Sequence, residues 1–159
     1  MNTIIIYASK HGTAKKSVER LEEKASASIH SFHVKVDKIP SLEGYDTVII
    51  GGSIYLGKVQ KELMKYTNDH LDELLTKKVG LFLCAGHPDE QQLGKELHDA
   101  FPEALLNHAT VKEIFGHEFD LSKLNFIEKF IVKKIVGITE SQFALSEEKI
   151  DNFAEQLLI

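Results

Sequence analysis

Three runs in this chain are apolar on consecutive residues instead of alternate ones: 3–8 (TIIIYA), 46–53 (DTVIIGGS) and 78–86 (KVGLFLCAG). A strand of that kind has both faces buried, which a sheet with one face in water does not allow. Each therefore needs a cover on both sides, and the segments between them are long enough to be helices. Residues 13–28 place Val18, Leu21 and Ala25 on one helical face. Residues 59–75 repeat the pattern with Leu63, Tyr66, Leu71, Leu74 and Leu75, with a break expected near Asn68. A third helix over 89–106 is interrupted at Pro102, and 145–158 closes the chain as a fourth. Two more strands complete the set. In 31–37 (SFHVKVD), Phe32, Val34 and Val36 alternate with His33 and Lys35, which suits a half-buried strand nearer an edge; the other is 109–116 (ATVKEIFG).

Strands alternating with helices make βαβ units, hence a parallel sheet with right-handed crossovers. The expected fold class is α/β, a single domain over residues 1–159 with five parallel strands between two helix layers. Such a sheet reverses its winding at one place, and ligands bind there, outside the carboxyl ends of the strands. The loops after strands one, three, four and five are where function is expected.

Composition narrows the ligand. A formal net charge of −5 argues against a general nucleic-acid partner. Arg20 is the only arginine. An anion must therefore be met by backbone N–H groups, hydroxyls or lysines, not by guanidinium clamps. The single cysteine, Cys84, forms no internal disulfide and suits a reducing compartment. No charged-then-apolar leader opens the chain and no apolar run approaches the ~20 residues of a membrane span. A cytoplasmic location is expected, with attachment to the inner face of a membrane left open.

The first loop reads Ser9, Lys10, His11, Gly12, Thr13, Ala14 and enters a helix. A helix start offers unpaired N–H groups and the positive end of a dipole, which together hold an anion. Gly12 lets the chain turn tightly there, and Ser9 and Thr13 add hydroxyls. The same residues also read as a plain helix cap. The third-strand loop holds Ser53, Ile54, Tyr55, Leu56 and Gly57. Gly52 to Lys58 has the spacing of a nucleotide-binding P-loop, but Val59 stands where that loop needs Ser or Thr for Mg²⁺, and bulky residues fill the cradle. Tyr55 fits better as an aromatic face beside a planar ligand, or as a packing residue. In the fourth loop, Cys84, Ala85, Gly86 and His87, the N–H groups of Ala85 and Gly86 are free to approach a heteroaromatic ring, while Cys84 reads as buried and not as a nucleophile. His87 faces a ligand or merely turns the chain before Pro88. No second His or Cys stands at a ligand spacing, so no metal site is expected.

Together "SKHGT", "GGSIYLG" and "CAG" resemble the phosphate loop and the two ring loops of the flavodoxin family. The resemblance runs over nearly the whole chain. It implies a flavodoxin-like three-layer sandwich with strand order 2-1-3-4-5 and FMN at the switch between strands one and three. The cofactor-binding residues it implies are Ser9 to Ala14, Ser53 to Gly57 and Cys84 to His87. The chain departs from the family at Ala14, where a hydroxyl is usual. Losing one hydroxyl–phosphate hydrogen bond of ~1–2 kcal/mol would weaken FMN binding about tenfold.

"YDTVIIGGSIYLGK" and the tail "FDLSKLNFIEKFIVKKIVGI" are similar to the branch containing the menaquinone-dependent protoporphyrinogen dehydrogenases. That branch carries an insertion between strand five and the last helix, here about 117–142. The similarity implies an FMN oxidoreductase that takes electrons from a tetrapyrrole and passes them to a quinone, with no catalytic side chain required. A flavodoxin-type carrier docking on redox partner proteins is the alternative. His117, Phe126 and Phe130 are the expected substrate-lining residues.

Read as a helix, 123–138 puts Leu124, Ile127, Ile131, Ile135 and Ile138 on one stripe with Lys129 and Lys133 opposite, and adds Phe126 with Phe130 and Val132 with Val136 on the flanks. Covering two exposed phenylalanines stabilises by roughly 3–6 kcal/mol. The candidate covers are an anionic membrane interface helped by Lys123, Lys129, Lys133 and Lys134, a second subunit in a homodimer, a lid over FMN, or ordinary packing within the domain.

Overall fold

The computed structural model describes residues 1–26, 28–119, 121–136 and 142–158. Five strands, β1 (Thr3–Tyr7), β2 (Ile29–His33), β3 (Thr47–Ser53), β4 (Lys78–Cys84) and β5 (Val111–Ile114), form one sheet in the order β2-β1-β3-β4-β5. Every pairing is parallel, with Ile5 opposite Ser31 on one side and Ile49 on the other. The fold class is the expected one, and the winding reverses between β1 and β3.

The strand period of two divides the core into two layers. Ile4, Ile6, Val48, Ile50, Val79, Leu81 and Leu83 face one side. There they meet α2 (Lys61–Asp69), α3 (Leu71–Leu74), the end of α4 (Glu90–Ala100) and α5 (Glu103–His108). Ile5, Tyr7, Ile49, Phe82 and Cys84 face the other. Their cover is α1 (Thr13–Lys24) and α7 (Glu147–Leu158), through Val18, Leu21, Ile150, Phe153 and Leu157. Phe82 stacks on Phe115 at 4.9 Å between centroids, and Phe153 meets both edge-on. Each of these fully buried side chains stabilises the fold by ~1.5–3 kcal/mol.

Several boundaries differ from the expected ones for local reasons. β2 stops at His33 and not at residue 37, because the His33 N–H donates to the Asp37 carboxylate and the Asp37 N–H returns to His33 C=O. That turn leaves Val36 exposed. α1 ends at Lys24, where Ala25 turns extended. The break in the second helical segment falls at His70, two residues past Asn68. Pro102 caps α5 at the expected interruption.

After β5 the chain leaves the sheet and forms a unit of its own. β6 (Gly116–Phe119) pairs antiparallel with β7 (Gln142–Leu145). Between them, α6 (Phe126–Ile131) continues in wider π-type turns through Val132–Val136. Of the residues expected on the insertion helix, Ile138 lies outside the described residues, as do the side chains of Lys123, Ile135 and Val136. The stripe expected there needs correction. The helix starts only after Asn125, whose side chain accepts the Glu128 N–H. Leu124 and Val132 are the buried residues, while Ile127 faces solvent.

Candidate functional site

At the carboxyl end of the sheet an open cleft runs between the loops that follow β1, β3 and β4. Lys10, His11 and Thr13 line it from the first loop, Ser53, Ile54 and Tyr55 from the third, Cys84, Ala85 and Gly86 from the fourth. Three residues of the insertion, His117, Glu118 and Leu124, complete the wall.

The first loop is a tight turn into α1. Gly12 sits at φ 90, a conformation that needs glycine, and its N–H donates to Ser9 Oγ. No side chain caps α1, and its first intrahelical bond runs from the Lys16 N–H to Gly12 C=O. The N–H groups of Thr13, Ala14 and Lys15 therefore precede the helical ladder, as at any helix start. The hydroxyls have other duties than the expected ones. Ser9 Oγ closes the turn, and Thr13 Oγ1 donates to Glu118 C=O. The methyl group of Ala14 is fully buried beside Val18 and Leu21, so residue 14 offers the cleft only its backbone.

The third loop is a two-residue hairpin. Tyr55 and Lys58 bridge, and Leu56 and Gly57 both take positive φ, the geometry of a type I′ turn. Tyr55 is thereby held at the rim, with Lys10 Nζ 3.6 Å from its ring centroid and the His11 ring edge-on at 5.8 Å. Leu56 and Gly57 are exposed and stand outside the cleft wall.

In the fourth loop the Ala85 N–H, expected to approach a ring, donates instead to Gly116 C=O at 2.8 Å. Gly86 is required by a close approach, since a Cβ there would lie 2.2 Å from Cγ of His117. Cys84 Sγ is 3.3 Å from Ser17 Oγ, and burial pushes its thiol up to about 12, which suits a packing residue. His87 is exposed beyond the wall, its Nδ1 accepting the Asp89 N–H.

The insertion reaches back to the first loop through two carboxylates. Glu118 pairs with Lys16 at 2.8 Å. Glu128 lies 2.9 Å from His11 Nε2 and 3.4 Å from Lys10 Nζ. Burial pushes the Glu128 pKa up, but His11, the Asn125 N–H and Lys10 outweigh it and hold it below the usual carboxylate value. Neither glutamate was marked by any motif, and only the contacts across the fold reveal them. Of the three residues expected to line a substrate pocket, His117 does line the cleft. Phe126 and Phe130 do not: they are 86% and 57% exposed, because Glu128 and Val132 turn the other side of α6 inward.

A helix start able to hold an anion and an aromatic loop meet here at the winding reversal of a parallel sheet, which defines a doubly wound α/β ligand-binding domain. Residues 4–146 match the flavodoxin domain family, and the chain belongs to it. An uncharacterised protein of Methanocaldococcus jannaschii is 30% identical over 104 residues, 62% of this chain and 65% of that protein. The chain thus spans about two thirds of that relative's length. Among solved structures, a short-chain flavodoxin associated with a non-canonical PDU bacterial microcompartment is similar at TM-score 0.60 and 14% identity, over 99% of this chain and 96% of that one. A two-electron reduced flavodoxin of Megasphaera elsdenii is similar at TM-score 0.56 and 18% identity, over 72% and 85%.

Proposed function

We propose that this protein binds FMN in the cleft and serves as a flavodoxin-type electron-transfer protein. The observation that carries the reading is the start of α1, free of any side-chain cap, opening into a cleft walled by Tyr55 and the loop of residues 84–86. The residues fit the group in kind. The N–H groups of Thr13, Ala14 and Lys15 would meet the phosphate with Lys10 beside them, and Ser9 retains its own hydroxyl proton to donate. Tyr55 and the backbone of residues 85–86 would flank the ring.

FMN, when bound, supplies the ability to take up and release electrons. The chain's part is to hold the phosphate end, to limit water with Leu124 and His117, and to leave one edge reachable by a partner. A net charge of −5 favours basic partners at long range. The relative from Megasphaera elsdenii, described in a two-electron reduced state, is consistent with a redox role.

Titration of the flavin-free chain with FMN, followed by flavin fluorescence and visible absorption, tests the reading. One equivalent bound at micromolar flavin is expected, and no binding overturns it. Salt-sensitive docking to a flavodoxin reductase is expected of the carrier. The tetrapyrrole reading rests on the sequence resemblance alone, since Phe126 and Phe130, its expected lining residues, face away from the cleft. Porphyrin formed above background from protoporphyrinogen and a menaquinone analogue, without oxygen, would restore it.

A further inference from the structure

We propose that the outward face of α6 and its continuation docks on an anionic lipid bilayer. At about 100° per residue, Glu128 and Val132 point one way, and Phe126, Phe130 and Ile127 point the other. The burial agrees: Val132 is 0% exposed, Phe126 86%, Ile127 68% and Phe130 57%. The other large exposed hydrophobic residues, such as Val36 and Met64, stand far apart along the chain.

Charge on the insertion is sorted to match. Of the insertion's acids, Glu118 and Glu128 are turned inward and engaged by Lys16, Lys10 and His11, while Asp120 and Glu140 lie outside the described residues. Lys129, Lys133 and Lys134 are exposed and, among the described residues, none of them has an ion pair. Lys134 Nζ lies 6.0 Å from the Phe130 ring centroid. Among the described residues, the outward face of α6 and its continuation therefore presents Phe126, Ile127 and Phe130 beside Lys129, Lys133 and Lys134, in a chain of net charge −5.

The arrangement favours a bilayer over a protein partner. The apolar side chains project from a convex helix surface with lysines interleaved among them. Aromatic residues can sink to the depth of the headgroups while lysine stems reach back to the phosphates. A symmetric contact with a second copy would set the three lysines against the same three lysines, which like-charge repulsion opposes. Leu124, two residues before α6, lines the cleft, so docking brings one edge of the cleft to the membrane.

The test is co-sedimentation of the full chain with vesicles of phosphatidylcholine, with and without phosphatidylglycerol, at low and high salt. Binding is expected only to the anionic vesicles and only at low salt. Each lysine contributes about fivefold, so K129Q/K133Q/K134Q is expected to bind on the order of 100-fold more weakly. F126A/F130A, substituted at exposed positions, is expected to lose binding with an unchanged circular dichroism spectrum. Wild type absent from anionic vesicles at low salt, equal binding to neutral vesicles, or a lysine variant that binds like wild type would each overturn the proposal. A dimer in gel filtration that F126A/F130A converts to monomer would reassign the face to a second copy. No flavin enters this measurement, so its failure leaves the FMN reading intact and the reverse also holds.

Discussion

Glu128→Gln keeps the size of the side chain and removes the charge that joins the insertion to the first loop. The carboxylate is 2.9 Å from His11 Nε2 and 3.4 Å from Lys10 Nζ, and its side chain is 17% exposed. Lys10 is 42% exposed, so that pair is screened and contributes only ~0.2–1 kcal/mol. The His11 contact is more enclosed, with side chains 22% and 17% exposed, and with it the loss comes to about 1–2 kcal/mol. For a domain of this length that lowers Tm by about 2–8 °C. The pH dependence follows from the sign of the shift. The folded-state pKa is depressed, so the stability is present above the unfolded value near 4.5 and is lost as pH falls through the folded value. Wild type should therefore melt above the variant at neutral pH, and the two should converge once pH falls below the depressed folded-state value. Thermal unfolding by circular dichroism reads the difference, and amide exchange in β6 and α6 shows whether it is local. Equal Tm at neutral pH, with equal exchange protection at Gly116–Phe119, would refute the claim that Glu128 holds the insertion in place.

Three further substitutions or probes check other parts of the site. Gly86→Ala drives a Cβ into the His117 ring and should cost about 1–3 kcal/mol in urea unfolding. The double variant with His117→Ala should recover most of that, and strictly additive costs would argue against the close approach. Cys84, buried with its thiol pushed up to about 12, should react with maleimide at neutral pH only as fast as the chain unfolds; rapid labelling would show an accessible thiol. Ala14→Thr should lower Tm by overpacking the contact with Val18 and Leu21 without tightening FMN in a fluorescence titration. Tighter FMN at unchanged Tm would reinstate a hydroxyl site at residue 14.

The strands were legible because each is a continuous apolar run that only a doubly covered sheet explains, and the two-layer core follows from their period of two. The three loops were legible because strand ends are marked by glycine and small residues. Their internal chemistry was less so. Ser9 and Thr13 look like anion donors in one dimension, yet Thr13 donates to a carbonyl 105 residues away. Ala14 looks like a missing ligand, yet its side chain belongs to the core. The inward side of the insertion helix was hidden for a similar reason. A helical wheel gives the relative phase of Ile127, Ile131 and Phe130, but not which side is inward. That choice is made by Asn125, which starts the helix one residue after Leu124, and by Glu128, which is drawn to Lys10 and His11.

The same contacts explain how one segment can face both the cleft and the solvent. A strand-end site in a parallel sheet is open on the side where the chain leaves its last strand. Here the chain returns across that opening, and beyond the contacts of Gly116 and His117 with the fourth loop it meets the first loop and the start of α1. Thr13 meets Glu118 C=O, Lys16 meets the Glu118 carboxylate, and Lys10 and His11 meet Glu128. Acids that would repel a phosphate or a lipid headgroup are thus neutralised by the cations of the loop. Once those two acids are held inward, the helical period turns Phe126, Ile127 and Phe130 outward beside exposed lysines. The wall of the cleft and the character of the outer surface are two consequences of the same inward pairing.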